Sequence, residues 1–405
     1  MKKYIYRRIL CGLLFMNCIV LSLLFIRYCE KKLPSSIQLT VGQKGKFQYD
    51  IPVIGEIEHQ KINLNKPFTI SKNSVGKYQI NTKLFGAIPL KKINVNVVKE
   101  TKVILSGKLI GVYVETNGIL VLDTDTVTGI DQVNHKPAEG KIRKNDYILK
   151  VNDKEINTKA ELIQKINDSE GKSINLKIKR NNENLTVRVT PVKSYKDGQY
   201  KLGIWVRDNT QGIGTLTFTS GKQFGGLGHG IYDIDTGNKM QIKGGYLITP
   251  SIDTIKKGKN GSPGEIVGSI YYKEAEFIGV ISKNTNYGIF GQLQKKESQK
   301  SYPIGYKQDV KKGKAQIVSY ISGKRKVYQI QITNIDQSNH DVLKGIEVKI
   351  VDPELLKLTN GIVQGMSGSP ILQNGKFIGA ITHVFVNDPT RGYGVFAETM
   401  LEKNQ

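Results

Sequence analysis

Residues Ile9 to Ile26 are eighteen consecutive positions without a charge, broken only by Asn17, Ser22 and small residues. At about 1.5 Å rise per residue such a run spans ~27 Å as a helix, enough for one membrane crossing. Lys2, Lys3, Arg7 and Arg8 precede it and Arg27 follows. With the heavier basic flank before the run, the remainder of the chain is expected outside the cytoplasm. No small-x-small cleavage pattern follows; Arg27-Tyr28-Cys29-Glu30-Lys31-Lys32 comes instead. Residues 1–32 therefore read as a cytoplasmic tip and an uncleaved signal-anchor transmembrane helix.

The three cysteines, Cys11, Cys18 and Cys29, all lie in the first thirty residues. Past Glu30 the chain has no disulfide, no thiolate zinc site and no catalytic thiol. Five histidines, His59, His135, His229, His340 and His383, show no pair at helical metal spacing, so no metal is expected. The net charge is +25, but lysine and asparagine are spread along the chain without an arginine-rich block. Such a field favours an anionic membrane or wall. With the bulk of the chain outside the cytoplasm, nucleic acid is not expected as a partner.

Downstream, Leu33-Pro34-Ser35-Ser36 reads as a linker into a β-rich module over 33–102, with strands near Ile37–Val41, Lys46–Tyr49, Tyr78–Lys83 and Ile93–Val98. Residues 103–192 differ in character. Lys144-Asn145-Asp146-Tyr147-Ile148-Leu149-Lys150-Val151-Asn152 is followed by helical spacing at Leu162, Ile163 and Ile166, with Asn157-Thr158 as cap candidates. A strand pair around the Arg180-Asn181-Asn182 turn then closes the unit. This stretch resembles a PDZ domain. Lys108–Val114, with Ile110, Gly111, Val112 and Tyr113, resembles the loop and strand whose amides receive a peptide terminus. Residues 193–405 are rich in glycine and β-formers, which suits a pair of small β-barrels.

Chemistry concentrates at Gly365-Met366-Ser367-Gly368-Ser369-Pro370. A serine between glycines can present its hydroxyl while neighbouring amides, here those of Gly365 and Ser367, converge on an oxyanion. Apolar strands near Ile371–Leu372 and Phe377–His383 follow, joined by Asn374-Gly375; Gly392–Phe396 is expected to wall a pocket. A serine needs a base, and the base needs an orienting group. His229, in Gly225-Gly226-Leu227-Gly228-His229-Gly230-Ile231 and 138 residues before Ser367, is the leading base; His383 is its rival. For the acid, Asp352, fifteen residues before the serine, competes with Asp233 and Asp235, while Asp388 reads as turn chemistry. Ser262, in Asn260-Gly261-Ser262-Pro263-Gly264, reads as a tight turn.

Assembled, the chain resembles the SpoIVB peptidases of endospore-forming bacteria. The longest carrying stretch is Gly361-Ile362-Val363-Gln364-Gly365-Met366-Ser367-Gly368-Ser369-Pro370 with Thr382-His383-Val384-Phe385-Val386-Asn387-Asp388-Pro389-Thr390. The resemblance implies a chymotrypsin-like double barrel over 193–405 with Ser367, His229 and Asp352 as nucleophile, base and acid, and no cofactor. It also implies self-cleavage, then cleavage of a membrane-bound regulator of an intramembrane protease, in the space between mother cell and forespore. Asn360 departs from the family, which commonly has a second glycine there. The alternatives are a non-catalytic tethered PDZ adaptor and an envelope quality-control protease, the latter disfavoured because its PDZ domain usually follows the catalytic domain.

Overall fold

The computed structural model describes residues 2–58, 60–271, 277–337 and 341–402; His59 and His340 lie outside them. The chain divides into two compact units, one of 1–102 with 306–311 and 336–341, the other of the rest.

In the first unit a helix runs over Lys2–Lys32 and carries the apolar run with its side chains exposed. Its last turn is different: Cys29 is buried, as is Leu33, and both join Ile37, Leu39, Val53, Ile80, Ile93 and Val95 in one core. The expected linker at Leu33–Ser36 is thus a packed junction. Five strands form the sheet, in the order Ser36–Thr40, Ile88–Val98, Gly76–Leu84, Val53–Ile57, Gln60–Asn63. The first pair is parallel, and the others are antiparallel. Alternation in Ile93, Val95 and Val97 turns one face of the longest strand inward, as a period of two requires.

The second unit is organised by two strands too long for one domain. Leu109–Thr124 pairs with Ile204–Ser220 along most of its length. The first part of Leu109–Thr124 and the last part of Ile204–Ser220 belong to a barrel. Gly111–Thr116 pairs with Ile242–Ile248, which continues through Phe277–Thr285, Gly288–Leu293 and Gln223–Gly226 back to Ile204–Ser220. These six described strands close a ring. Beyond Gly118 (φ +93°, where a Cβ would meet the Ile148 carbonyl), the same strand enters another sheet, pairing Leu120 with Tyr147. That sheet continues through Tyr147–Val151, Ile174–Arg180 and Glu183–Val189 and is covered by the helix Lys159–Asn167. Here the sequence reading holds closely: Thr158 caps the helix by accepting from the Glu161 amide, and Glu161 reaches back to the Asn157 amide. A PDZ domain therefore sits inside the first barrel's strand order, entered on one long strand and left on the other.

A second closed barrel follows, with strands Gly313–Ser319, Lys326–Ile335, Ile346–Ile350, Asp388–Phe396, Lys376–Phe385 and Pro370–Gln373 in ring order. The hairpin after the serine motif forms at Asn374-Gly375, both at positive φ. Gly392–Phe396 is barrel strand and lines no part of the cleft described below.

In the PDZ domain Asp146 is fully buried. It accepts from Arg180 Nε at 2.8 Å and Arg180 Nη2 at 2.7 Å, and from the Arg143 amide at 2.8 Å. Removing one partner of such a bidentate pair strands a buried charge. Asp146→Ala is expected to lower the unfolding free energy by about 3 kcal/mol, measured by denaturant titration of the PDZ transition; a midpoint unchanged from wild type would show that the pair is dispensable.

Candidate active site

The serine motif is shaped before it is reached. The helix Pro353–Thr359 ends at Asn360, whose left-handed conformation (φ 56°, ψ 28°) is one that glycine or asparagine adopts readily. Asn360 is thus compatible with the turn that a glycine would make. From there Ile362 donates to the Pro389 carbonyl (2.7 Å), and Val363–Gln364 pairs in parallel with Gly264–Glu265. The loop then turns through Gly365 (φ +100°) and Gly368 (φ +96°). At Gly368 a Cβ would stand 2.3 Å from the Thr215 carbonyl oxygen, so only glycine fits.

Thr215, fully buried on the first barrel, holds this loop. Its amide donates to the Ser367 carbonyl (3.1 Å) and its hydroxyl to the Gly365 carbonyl (2.7 Å). The Gly368 amide is taken by the Ile381 carbonyl (2.7 Å), whereas the Ser367 amide has no acceptor among the described residues. Ser369 is fully buried, leaving Ser367 as the motif's serine that reaches the cleft.

His229 arrives from the first barrel. The strand Gln223–Gly226 ends in Leu227 (φ +68°) and Gly228 (φ +72°), two successive left-handed residues. A bulky residue held there is strained, as happens where a functional side chain must be aimed. The His229 ring is half-buried, and its Nδ1 lies 2.8 Å from the Gly230 carbonyl oxygen. A carbonyl only accepts, so Nδ1 carries the proton and Nε2 keeps the basic lone pair. Desolvation pushes the pKa of the ring below the ordinary histidine value, partly countered by the Gly230 carbonyl. The ring is thus a neutral base at neutral pH.

His229, Ser367, Gly365 and His383 line one cleft of about 490 Å³ between the barrels. His383 is exposed, on the strand Lys376–Phe385, with its ring centroid 5.2 Å from that of His229. The Ser367 hydroxyl donates to the Thr382 carbonyl (2.7 Å) and not to a histidine.

Asp352 departs from its expected place. It is the N-cap of the helix Pro353–Thr359, its Oδ1 accepting from the Glu354 and Leu355 amides (3.0 and 3.1 Å) and its Oδ2 from the Gln329 amide (3.0 Å). Across the second barrel His383 is level with Tyr393, and Tyr393 with Glu347. Asp352 lies five residues past Glu347, about 16 Å further along the strand direction. The alternatives are engaged too. Asp233 and Asp235 both pair with Arg207, and Asp233 Oδ1 also accepts the Asp235 and Thr236 amides. Among the described residues no carboxylate hydrogen-bonds to His229; the Gly230 carbonyl does.

The peptide-receiving residues are also placed differently. Ile110, Gly111, Val112 and Tyr113 sit on a strand of the first barrel, all four paired on one side with Gln211–Gly214 and the last three on the other with Tyr246–Ile248, so neither edge of Gly111–Tyr113 is open to a peptide. Val112 lines the serine cleft instead. The groove that has the shape of a PDZ site lies between Leu162, Ile163 and Ile166 of the helix and Leu202–Val206, a cavity of about 880 Å³. There Gly203 turns at φ +64° and Trp205 is 63% exposed. Ile204–Arg207 pairs only with Leu120–Thr124 among the described strands, leaving its helix-facing edge for strand addition.

A two-barrel fold with a serine and a histidine in the cleft between, carrying a PDZ domain, defines a serine peptidase. The sequence profile of the SpoIVB peptidase S55 family matches residues 198–401, and that of the PDZ domain matches residues 107–190. The chain belongs to the SpoIVB peptidase S55 family. Among solved structures, the PDZ domain of an SdrC-like protein from Listeria monocytogenes is similar at 20% identity, over 22% of this chain and 87% of that one (TM-score 0.19). An HtrA-type protease solved with a decapeptide matches at 10% identity, over 48% of this chain and 51% of that one (TM-score 0.28). With both TM-scores below 0.5, the family membership rests on the sequence match.

Two outcomes follow from this geometry. Asp352→Ala removes a helix cap and is expected to cost about 1 kcal/mol of stability while leaving kcat/KM within a few-fold of wild type. A loss on the order of 10⁴ in kcat, with the fold intact, would make Asp352 the orienting acid after all. Separately, the depressed pKa of His229 places the acid limb of the kcat/KM profile below the ordinary histidine value of 6.5. Activity is then retained as pH falls through that value, and a limb above it would contradict a desolvated, neutral base.

Proposed function

We propose that this protein is a membrane-tethered, extracytoplasmic serine endopeptidase that cleaves its own chain and then a membrane-bound regulator of an intramembrane protease, so triggering maturation of a late sporulation sigma factor. The observation that carries the enzymatic reading is that His229, from the first barrel, and Ser367, from the second, line one cleft beside Gly365. The helix Lys2–Lys32, apolar and long enough to cross a membrane, supports the tether. The choice of regulator and compartment follows the family.

In the proposed reaction the Ser367 hydroxyl rotates from the Thr382 carbonyl toward His229. Its oxygen attacks the scissile carbonyl while Nε2 takes the proton. The amides of Gly365 and Ser367 receive the oxyanion, and the Gly230 carbonyl fixes the tautomer throughout. His229 then returns the proton to the leaving amine, and water releases the acyl group by the reverse use of the same base. Protein hydrogen bonds in resting sites are often made elsewhere until substrate arrives, which is the state of Ser367 here. Peptide, including this chain's own, docks in the groove between Leu202–Val206 and the helix Lys159–Asn167. Trp205 in that groove and Thr215 at the nucleophile loop lie on one strand, Ile204–Ser220, which gives docking a direct mechanical route to the cleft.

Incubating full-length protein in membranes with a fluorophosphonate probe tests the reading. Wild type is expected to label and to fragment, and Ser367→Ala to do neither while remaining folded. Processing of a purified Ser367→Ala protein would remove Ser367 as the nucleophile, and an unlabelled, intact wild type would favour the adaptor.

A further inference from the structure

We propose that the β-rich N-terminal module is itself a membrane-seating device, inserting the hairpin tip Phe85–Ile88 into the outer leaflet and setting a basic rim against anionic headgroups. The inference rests on the helix Lys2–Lys32 crossing the bilayer.

The tip is built against local preference. The strands Gly76–Leu84 and Ile88–Val98 pair up to Leu84 opposite Ile88, which leaves Phe85, Gly86 and Ala87 to make the turn. Phe85 takes φ +52° and Gly86 φ +76°. Glycine or asparagine normally fills a left-handed turn position, and a phenylalanine there is an outlier. The strained aromatic is not used for packing in the core: Phe85 is 66% exposed and Ile88 45%. A water-facing hairpin gains nothing from that choice, whereas a lipid-facing one gains an apolar wedge.

Its position fixes the occupant. The Phe85 ring stacks on Phe25, with centroids 6.4 Å apart, and Phe25 stacks on Tyr28 at 6.5 Å. Phe25 is the penultimate residue of the apolar run, so the hairpin tip reaches the level where the run ends. That level is the hydrocarbon boundary, where aromatic residues collect. Helix and hairpin belong to one compact unit, so their relative placement is that of a packed domain.

The charge next to the tip is complementary to a lipid surface. Lys83 and Lys92 are exposed on the two strands leading from it, within about 15 Å of the turn. Arg27, Lys31, Lys32 and Lys91 line one cavity of about 700 Å³ beside the helix end, together with Glu30 and Asp336. Desolvation holds the Lys91 pKa below the usual lysine range, with Glu30 opposing. A cationic cavity at headgroup level suits a lipid phosphate, since lysine and arginine clusters just outside a membrane helix attract anionic lipids. The consequence is that peptidase released by self-cleavage between Lys32 and the tip would keep the tip, with Lys83, Lys91 and Lys92, as a second hold on the membrane.

Tryptophan quenching in proteoliposomes of the full chain tests this. In a Trp205→Phe background, a single tryptophan is placed at Phe85→Trp or, separately, at Ile19→Trp, with lipids brominated near the carbonyl end or the methyl end of the chain. Ile19→Trp is expected to lose most of its emission to methyl-end bromines and Phe85→Trp to carbonyl-end bromines. The loss at Phe85→Trp is expected to be greater in vesicles containing phosphatidylglycerol than in phosphatidylcholine alone. Quenching at position 19 without quenching at 85 overturns the seating proposal and leaves the tether standing. No quenching at either position overturns both. Equal quenching at 85 in the two lipids overturns the role of the basic rim.

Discussion

Thr215 donates from its amide to the Ser367 carbonyl and from its hydroxyl to the Gly365 carbonyl, while its own carbonyl receives the Leu227 amide. One buried residue therefore ties the serine loop of the second barrel to the turn that precedes His229 on the first. The site exists only where the two barrels meet, and this contact fixes how they meet at the cleft. Each of these hydrogen bonds is made away from water, where leaving one unmade costs the full desolvation of its partner. The glycines follow from the same closeness: at Gly368 a side chain would collide with Thr215 and Leu227.

The strand that carries Thr215 begins in the PDZ domain. Leu109–Thr124 takes the chain out of the first barrel and Ile204–Ser220 brings it back, so the PDZ domain is spliced into the barrel's own hydrogen-bond ladder rather than hung on a flexible linker. Motion at the groove edge Leu202–Val206 meets the barrel through paired backbone. The Ser367 hydroxyl rests on the Thr382 carbonyl while the Ser367 carbonyl is held by the Thr215 amide, so the strand that leaves the PDZ groove also carries the contact to the serine loop.

That Ser367 and His229 would share a cleft was legible because glycine spacing is a backbone requirement written in the sequence. Both the Gly365–Gly368 pair and the Leu227-Gly228 turn bend through left-handed conformations around the residue they expose. The place of Asp352 was not legible in that way. Asp352-Pro353-Glu354 is also the signature of a helix start, with an aspartate cap and proline in the first turn, and the structure uses it so. A backbone carbonyl such as that of Gly230 leaves no trace in the sequence at all. Ile110-Gly111-Val112-Tyr113 misled because a glycine among apolar β-formers reads alike in a peptide-binding loop and in a barrel strand. Leu202-Gly203-Ile204-Trp205-Val206 has the same character and lies where the groove is. Thr215 carried no signal beyond that of a strand residue, since its role depends on a loop 150 residues away.

A Ser367–His229 pair oriented by the Gly230 carbonyl has a definite consequence for the structure of a peptidyl-phosphonate adduct. In that adduct phosphorus is expected on Ser367 Oγ, its oxygen held by the Gly365 and Ser367 amides, with His229 Nδ1 still on the Gly230 carbonyl and Asp352 still capping its helix. An adduct in which the Asp352 carboxylate has left the helix and binds His229 Nδ1 would contradict it.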